Sequence, residues 1–173
     1  MNNRQLPPMI VMGVSGSGKT TLGTRLGEAL GVPFIDSDDL HPAANKEKMR
    51  AGQPLNDDDR RPWLHLIGAY IKERTAAEET AIVACSALKR SYRDLLRRHA
   101  PDLVFIHLTG HRDTIAERLG QRRHEYMPAT LLDSQLHTLE PLHPDETSVV
   151  IDVSGTPQAM VIQVLSELQS PTK

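Results

Sequence analysis

The sequence predicts a three-layer α/β domain built on a five-stranded parallel sheet. Three observations predict it. Short β-prone runs alternate with longer helical patterns. The runs are apolar on both faces, as strands covered by helices on two sides must be. The first run leads through a glycine-rich loop directly into a helical pattern.

Taken in order, Met9-Ile10-Val11-Met12 reads as a buried strand. A helix is predicted over Lys19–Leu30, because Leu22, Leu26, Ala29 and Leu30 share one face and Gly31 supplies a stop. Phe34-Ile35 is a short strand ending in Asp36. A short helix is expected over Asn45–Ala51, and a longer one over Asp59–Ala77 with Asp57 or Asp58 as its N-cap. Ala81–Cys85 is a strand, Ser91–His99 an arginine-rich helix, and Leu103–Leu108 a strand. Arg112–Arg123 and Pro128–Leu139 read as helices, Ser148–Val153 as a strand and Thr156–Gln169 as a closing helix. No repeat or linker divides the chain, so 1–173 is expected to be one domain. Two polar stretches are read as sub-regions of it: about 41–64 on the substrate side and about 120–143 as a mobile lid.

Composition narrows the function. The chain has 173 residues, 39% hydrophobic and 24% charged, which is a globular profile. Aromatics are only 3%, so the core must rest on aliphatic side chains and methionine. A net charge of −2 provides no basic field for nucleic acid or an anionic membrane, although local cations can still bind an anion. The lone cysteine, Cys85, excludes an intramolecular disulfide and reads as a packing residue. Residues 1–8 lack the apolar stretch of a signal peptide, and no run approaches the ~18 residues of a membrane span. A soluble, cytoplasmic protein is expected.

Gly13-Val14-Ser15-Gly16-Ser17-Gly18-Lys19-Thr20 matches GxxxxGK[ST] between a predicted strand and a predicted helix, the context that this phosphate loop requires. Glycines let the backbone wrap an anion, and the helix N-terminus points N–H groups at it. Lys19 can bridge β- and γ-phosphates, and Thr20 can ligate Mg²⁺. Gly13, Ser15, Gly16, Ser17, Gly18, Lys19, Thr20 and Thr21 are therefore the candidate ATP-binding residues. The next strand ends in Asp36-Ser37-Asp38-Asp39. In an extended chain Asp36 and Asp38 point the same way, so one can hold Mg²⁺ while the other accepts a proton from an attacking hydroxyl. We assign Asp36 to the metal and Asp38 to the base. A solvated acidic turn is the bland alternative, and the phosphate loop beside it tips the balance. His41 is a candidate substrate contact.

Beyond the loop, Asp36 to Pro42, Pro54 to Leu64 (PLNDDDRRPWL), Ala84 to Asp94 (ACSALKRSYRD) and His124 to Glu140 carry a family resemblance. The chain resembles the gluconokinases, sugar-acid kinases of P-loop fold related to shikimate and nucleoside monophosphate kinases. The likeness runs from about Met9 to Leu168. It implies ATP-dependent phosphorylation of D-gluconate at the 6-hydroxyl, giving 6-phosphogluconate, with Mg²⁺ and in a homodimer. Tyr126 and Leu136 stand where the family often has Phe, and Thr20 where Ser is commoner.

For the substrate, Arg60 is placed to clamp a carboxylate, while Asp57 to Asp59 also suit a helix N-terminus. Ser86, Lys89 and Arg93 follow a strand end, and Lys89 and Arg93 are four apart on an incipient helix. Trp63 reads as a core or interface anchor. By likeness to related kinases, Arg118 lies near the adenine and Arg122 reaches the phosphates as a third catalytic group beside Asp38 and Lys19. Gly120 is a candidate hinge and Gly110 a turn. A shikimate kinase would want a glycine-rich turn at Cys85-Ser86-Ala87-Leu88. A purely regulatory nucleotide binder would not need the Asp36/Asp38 pair.

Overall fold

The computed structural model describes residues 5–120 and 129–169. The chain runs β1 (Met9–Met12), α1 (Lys19–Leu30), β2 (Phe34–Asp36), a 3₁₀ turn (Ser37–Leu40), α2 (Ala43–Arg50), α3 (Asp57–Ala76), β3 (Ile82–Ala84), α4 (Arg90–His99), β4 (Val104–Thr109), α5 (Arg112–Gly120), α6 (Ala129–Thr138), β5 (Ser148–Asp152) and α7 (Pro157–Gln169). The five strands form one parallel sheet in the order β2-β3-β1-β4-β5. The predicted fold class is the one observed.

Strand alternation sorts the core into two layers. Met9 and Val11 pack with Leu22 and Leu26 of α1, Ile115 of α5, Leu132 of α6 and Val164 of α7. Ile10 and Met12 pack with Ile67 and Ile71 of α3 and Leu95 and Leu96 of α4. Since β1 is flanked by β3 and β4 and covered on both faces, all four of its residues are buried.

Three expectations need correction. Helix α3 starts at Asp57, and its cap is Asn56. The Asn56 side chain accepts from the Asp59 N–H (2.8 Å) while the Asp59 carboxylate accepts from the Asn56 N–H (3.0 Å), a reciprocal capping box. The three aspartates therefore form the first turn, where their charge suits the helix dipole. Secondly, β5 is an edge strand and is not apolar-covered on both faces: Val150 is 52% exposed. Thirdly, Arg93 is no surface cation on a face shared with Lys89. Lys89 is the extended N-cap of α4, with its side chain held by Asp57, whereas Arg93 is 0% exposed. Predicted helix over 121–123 and at residue 128 lies outside the described residues.

Arg93 is held by a buried network. Its Nε donates to Glu146 Oε1 (2.7 Å), Nη1 to the carbonyls of Ala87 (3.0 Å) and Leu88 (3.2 Å), and Nη2 to that of Pro141 (3.2 Å). Burial alone would raise the Glu146 carboxyl, but Arg93 and the His143 N–H outweigh it and hold it below the usual glutamate value. Around this pair, Arg90 grips Asp145 with two bonds (2.8 and 2.6 Å). The 141–146 segment is thereby stapled to α4. Removing one partner of such a pair strands the other charge, so Glu146→Ala is expected to cost about 3–5 kcal/mol in denaturant unfolding.

Burial lowers the pKa of His41, His99 and His107, each helped by nearby groups: Arg60 and Lys46, His65 and Lys72, and Arg93 respectively. Below the ordinary histidine value of ~6.5 the unfolded chain takes up protons that the folded chain refuses. Stability is therefore expected to fall as pH drops from about 7 to 5. Melting temperatures across that window check this, and His107→Phe should flatten the slope.

Candidate functional site

The carboxyl ends of β1, β2 and β3 open into one cleft of about 610 Å³, with α6 as its far wall. The loop after β1 forms its floor. Gly16 has φ +82°, and a Cβ there would lie 2.4 Å from Leu119 Cγ, so only glycine fits. A Cβ on Gly13 would sit 2.8 Å from Ser17 Oγ. Helix α1 starts at Lys19 behind Gly18, with no side-chain cap on its first turn. Its N–H groups are thus left for an anion. The Ser17 hydroxyl is buried beside Gly13 and has no hydrogen-bond partner among the described residues. These features fit a phosphate. The Lys19 ammonium folds over the loop, donating to the carbonyls of Gly13 (3.1 Å) and Val14 (3.2 Å). Ser15, Gly16, Gly18, Lys19 and Thr20 line the cleft; Gly13, Ser17 and Thr21 lie outside the lining.

The Thr20 hydroxyl donates to Asp36 Oδ2 at 3.1 Å, bringing the two metal candidates together. No group of three or more His, Cys, Asp or Glu placed to hold a metal occurs among the described residues. Mg²⁺ needs few protein ligands, since phosphates and water complete its shell, so a hydroxyl and a carboxylate fit it. Asp36 and Asp38 do not follow one extended path. Asp36 Oδ1 caps the 3₁₀ turn by accepting from the Asp38 N–H (3.0 Å), because a carboxylate at this position satisfies the turn's first donors. Asp38 still lines the cleft, with a side chain 81% exposed.

His41 is 8% exposed and stacks on Trp63, ring centroids 4.2 Å apart. The Asn45 amide, which also donates to the Asp59 carbonyl (2.9 Å), lies 3.3 Å from His41 Nδ1. An amide NH₂ only donates, so Nδ1 accepts and the proton sits on Nε2, 3.9 Å from Asp38 Oδ1. Trp63 is both core anchor and cleft wall, its Nε1 donating to the Ser37 carbonyl at 2.7 Å.

At the opposite end, Arg60 and Lys89 meet around Asp57. Lys89 Nζ contacts both Asp57 oxygens (3.0 and 3.1 Å), Tyr92 donates its hydroxyl to the same carboxylate, and Arg60 donates to Tyr92 (3.2 Å). The Tyr92 bond, then Lys89, keeps the Asp57 carboxyl below its ordinary value. Ser86 lines the cleft and its carbonyl accepts from the Gly13 N–H (3.4 Å). Arg93 does not line it. Arg118 lies beside the loop, within 4.0 Å of where a Gly18 Cβ would be, and donates to the Val153 carbonyl. Arg122 lies outside the described residues. Burial pushes the Cys85 thiol up to about 11, consistent with packing.

Sequence reasoning missed two cleft residues, Tyr92 and Gln135. Tyr92 stands three residues after Lys89, which was a usable hint. Asp57, read both as a polar group for the acid and as a helix-start charge, is in the first turn of α3 and is the carboxylate that Lys89 and Tyr92 share. Gln135, on α6, accepts from the Ser15 N–H (2.7 Å) and donates to the Ser15 hydroxyl (3.0 Å), a contact across 120 residues with no local signal.

A family model described as an AAA domain matches residues 9–142. The gluconokinase of Gluconobacter oxydans (strain 621H) is 48% identical, over 92% of this chain and 88% of its own length. The thermoresistant gluconokinase of Escherichia coli (strain K12) is 40% identical over 92% of each chain. The crystal structure of a gluconokinase from Sinorhizobium meliloti 1021 superposes with a TM-score of 0.86 at 46% identity, covering 96% of this chain and 93% of that one. Shikimate kinase from Aquifex aeolicus, TM-score 0.56 at 16% identity, shares the fold alone. A cleft with a phosphate-binding loop at one end and paired cations at the other is thus set in a chain that belongs to the gluconokinase family.

Proposed function

We propose that this chain transfers the γ-phosphoryl group of ATP to the 6-hydroxyl of D-gluconate, giving 6-phosphogluconate and ADP. The observation that carries this reading is the shared cleft: the anion-binding loop and the Arg60/Lys89 pair open into the same space. The named relatives are gluconokinases, which supports the choice of acid. We further read the protein as cytoplasmic and homodimeric. Among the described residues no helix is long and apolar enough to cross a membrane.

The chemistry follows from the residues. Loop N–H groups and Lys19 hold the β- and γ-phosphates, supplying fixed positive ends where charge spreads in transfer. Thr20 and Asp36 would hold Mg²⁺, which when bound neutralises phosphate charge. Arg60 and Lys89 take the acid's carboxylate, and His41 and Ser86 contact its hydroxyls. Asp38 accepts the proton of the 6-hydroxyl as that oxygen bonds to the γ-phosphorus and the bond to the β–γ bridging oxygen breaks. His41, neutral because burial and then Arg60 lower its pKa, presents Nε2–H toward Asp38 and orients it. Arg118 serves the nucleotide side, and Arg122 is kept as the arginine that reaches the phosphates. Residues 120–143 are read as the lid, supported by the contact of Gln135 with the loop.

The deciding experiment is Mg²⁺-dependent ATP turnover with D-gluconate, shikimate or no acceptor. Turnover with gluconate alone is expected, and Asp38→Asn should lower kcat by roughly 10²–10⁴. Turnover only with another acceptor overturns the substrate, and an unaffected variant overturns the base. For the clamp, Arg60→Ala and Lys89→Ala should each raise KM for gluconate roughly ten- to hundredfold, with KM for ATP nearly unchanged. Initial-rate kinetics read both constants.

A further inference from the structure

Helix α6 lies within the stretch proposed as the lid and walls the cleft opposite the phosphate loop. The contact between Gln135 and Ser15 gives α6 a more specific part. Gln135 meets Ser15 twice, its carbonyl taking the backbone N–H (2.7 Å) and its NH₂ donating to the hydroxyl (3.0 Å). Ser15 belongs to the phosphate loop and lines the cleft. The N–H of Ser15 has one hydrogen, so it cannot serve Gln135 and a phosphate oxygen at full strength together. The primary amide carbonyl imitates that oxygen in kind, as a neutral acceptor on an anion's donor. The neighbouring α6 side chains Leu131, Ser134 and Thr138 line the same cleft, so the helix is seated against it along its length.

We propose that Gln135 is an affinity-setting residue for the nucleotide: it competes with a phosphate oxygen for Ser15, so that polyphosphate binding requires its displacement. This rests on the phosphate-transfer reading for its ligand, but not on gluconate as the acceptor. The thermodynamics fix the sign of its effect. An interaction that a ligand must break stabilises the unliganded protein and weakens the ligand. Removing it therefore tightens binding, the reverse of what deleting a ligand contact does. Adenosine, which brings no phosphate to Ser15, should be indifferent.

The test is isothermal titration of ATP, ADP and adenosine into wild type and Gln135→Met, which keeps the chain length but loses both hydrogen bonds. Thermal melting is run alongside. Two net hydrogen bonds predict dissociation constants for ATP and ADP about five- to fiftyfold lower in the variant. Adenosine should bind within about twofold of wild type, and the unliganded melting temperature should fall. A generally damaged fold would weaken all three ligands. Unchanged or weaker binding of ATP and ADP by the variant overturns the proposal. Wild type that binds ATP yet does not phosphorylate gluconate leaves the proposal standing and removes only the acceptor. Wild type that binds no nucleotide removes both.

Discussion

A single buried guanidinium ties together the segments that carry one end of the cleft. Arg93 cannot leave water without satisfying its donors, and the groups it donates to belong to two separate segments: the loop after β3 and the stretch after α6. Satisfying them draws those segments together. The loop after β3 carries Ser86 and Lys89 into the cleft, and α6 carries Gln135. The Glu140 N–H, just beyond α6, also bonds to the Leu88 carbonyl (2.8 Å). Replacing such a pair by apolar groups is often tolerable energetically, while halving it is not. Its contribution is therefore better described as placement than as net stability.

The two ends of the cleft solve the problem of binding anions differently. The loop uses backbone N–H groups fixed by glycine geometry and by the start of α1, which need little reorganisation on binding. The other end uses side chains on α3 and at the N-cap of α4 that already share the Asp57 carboxylate. That carboxylate keeps two like charges near each other without a ligand and sets their direction through Tyr92. A seat built from backbone at one end of the cleft thus faces one built from side chains at the other.

Much of this was legible in the sequence, and the reasons are local. The glycine loop is defined by spacing within one turn, and the strands by short apolar runs, so the loop's place between β1 and α1 and the order of the strands follow from local sequence. What failed depended on backbone state or on distance along the chain. The pairing of Lys89 with Arg93 assumed a helix that begins one residue later, at Arg90. Asp36 and Asp38 were treated as extended, but the carboxylate of the first folds the chain into a 3₁₀ turn. Gln135 on Ser15 and Glu146 on Arg93 are contacts between distant segments, which no periodicity encodes.

The stacking of Trp63 on His41 has an optical consequence. Trp63 is the chain's only tryptophan, and its indole borders the cleft while bonded to Ser37, two positions after the last residue but one of β2. Emission excited in the red edge of the ultraviolet band therefore arises from one place, the wall of the cleft. An imidazole face lies against that chromophore, so a change in the protonation or tilt of His41 alters its quenching directly. The protein carries its own fluorophore where the acid is expected to bind, and occupancy can be followed by light without a label.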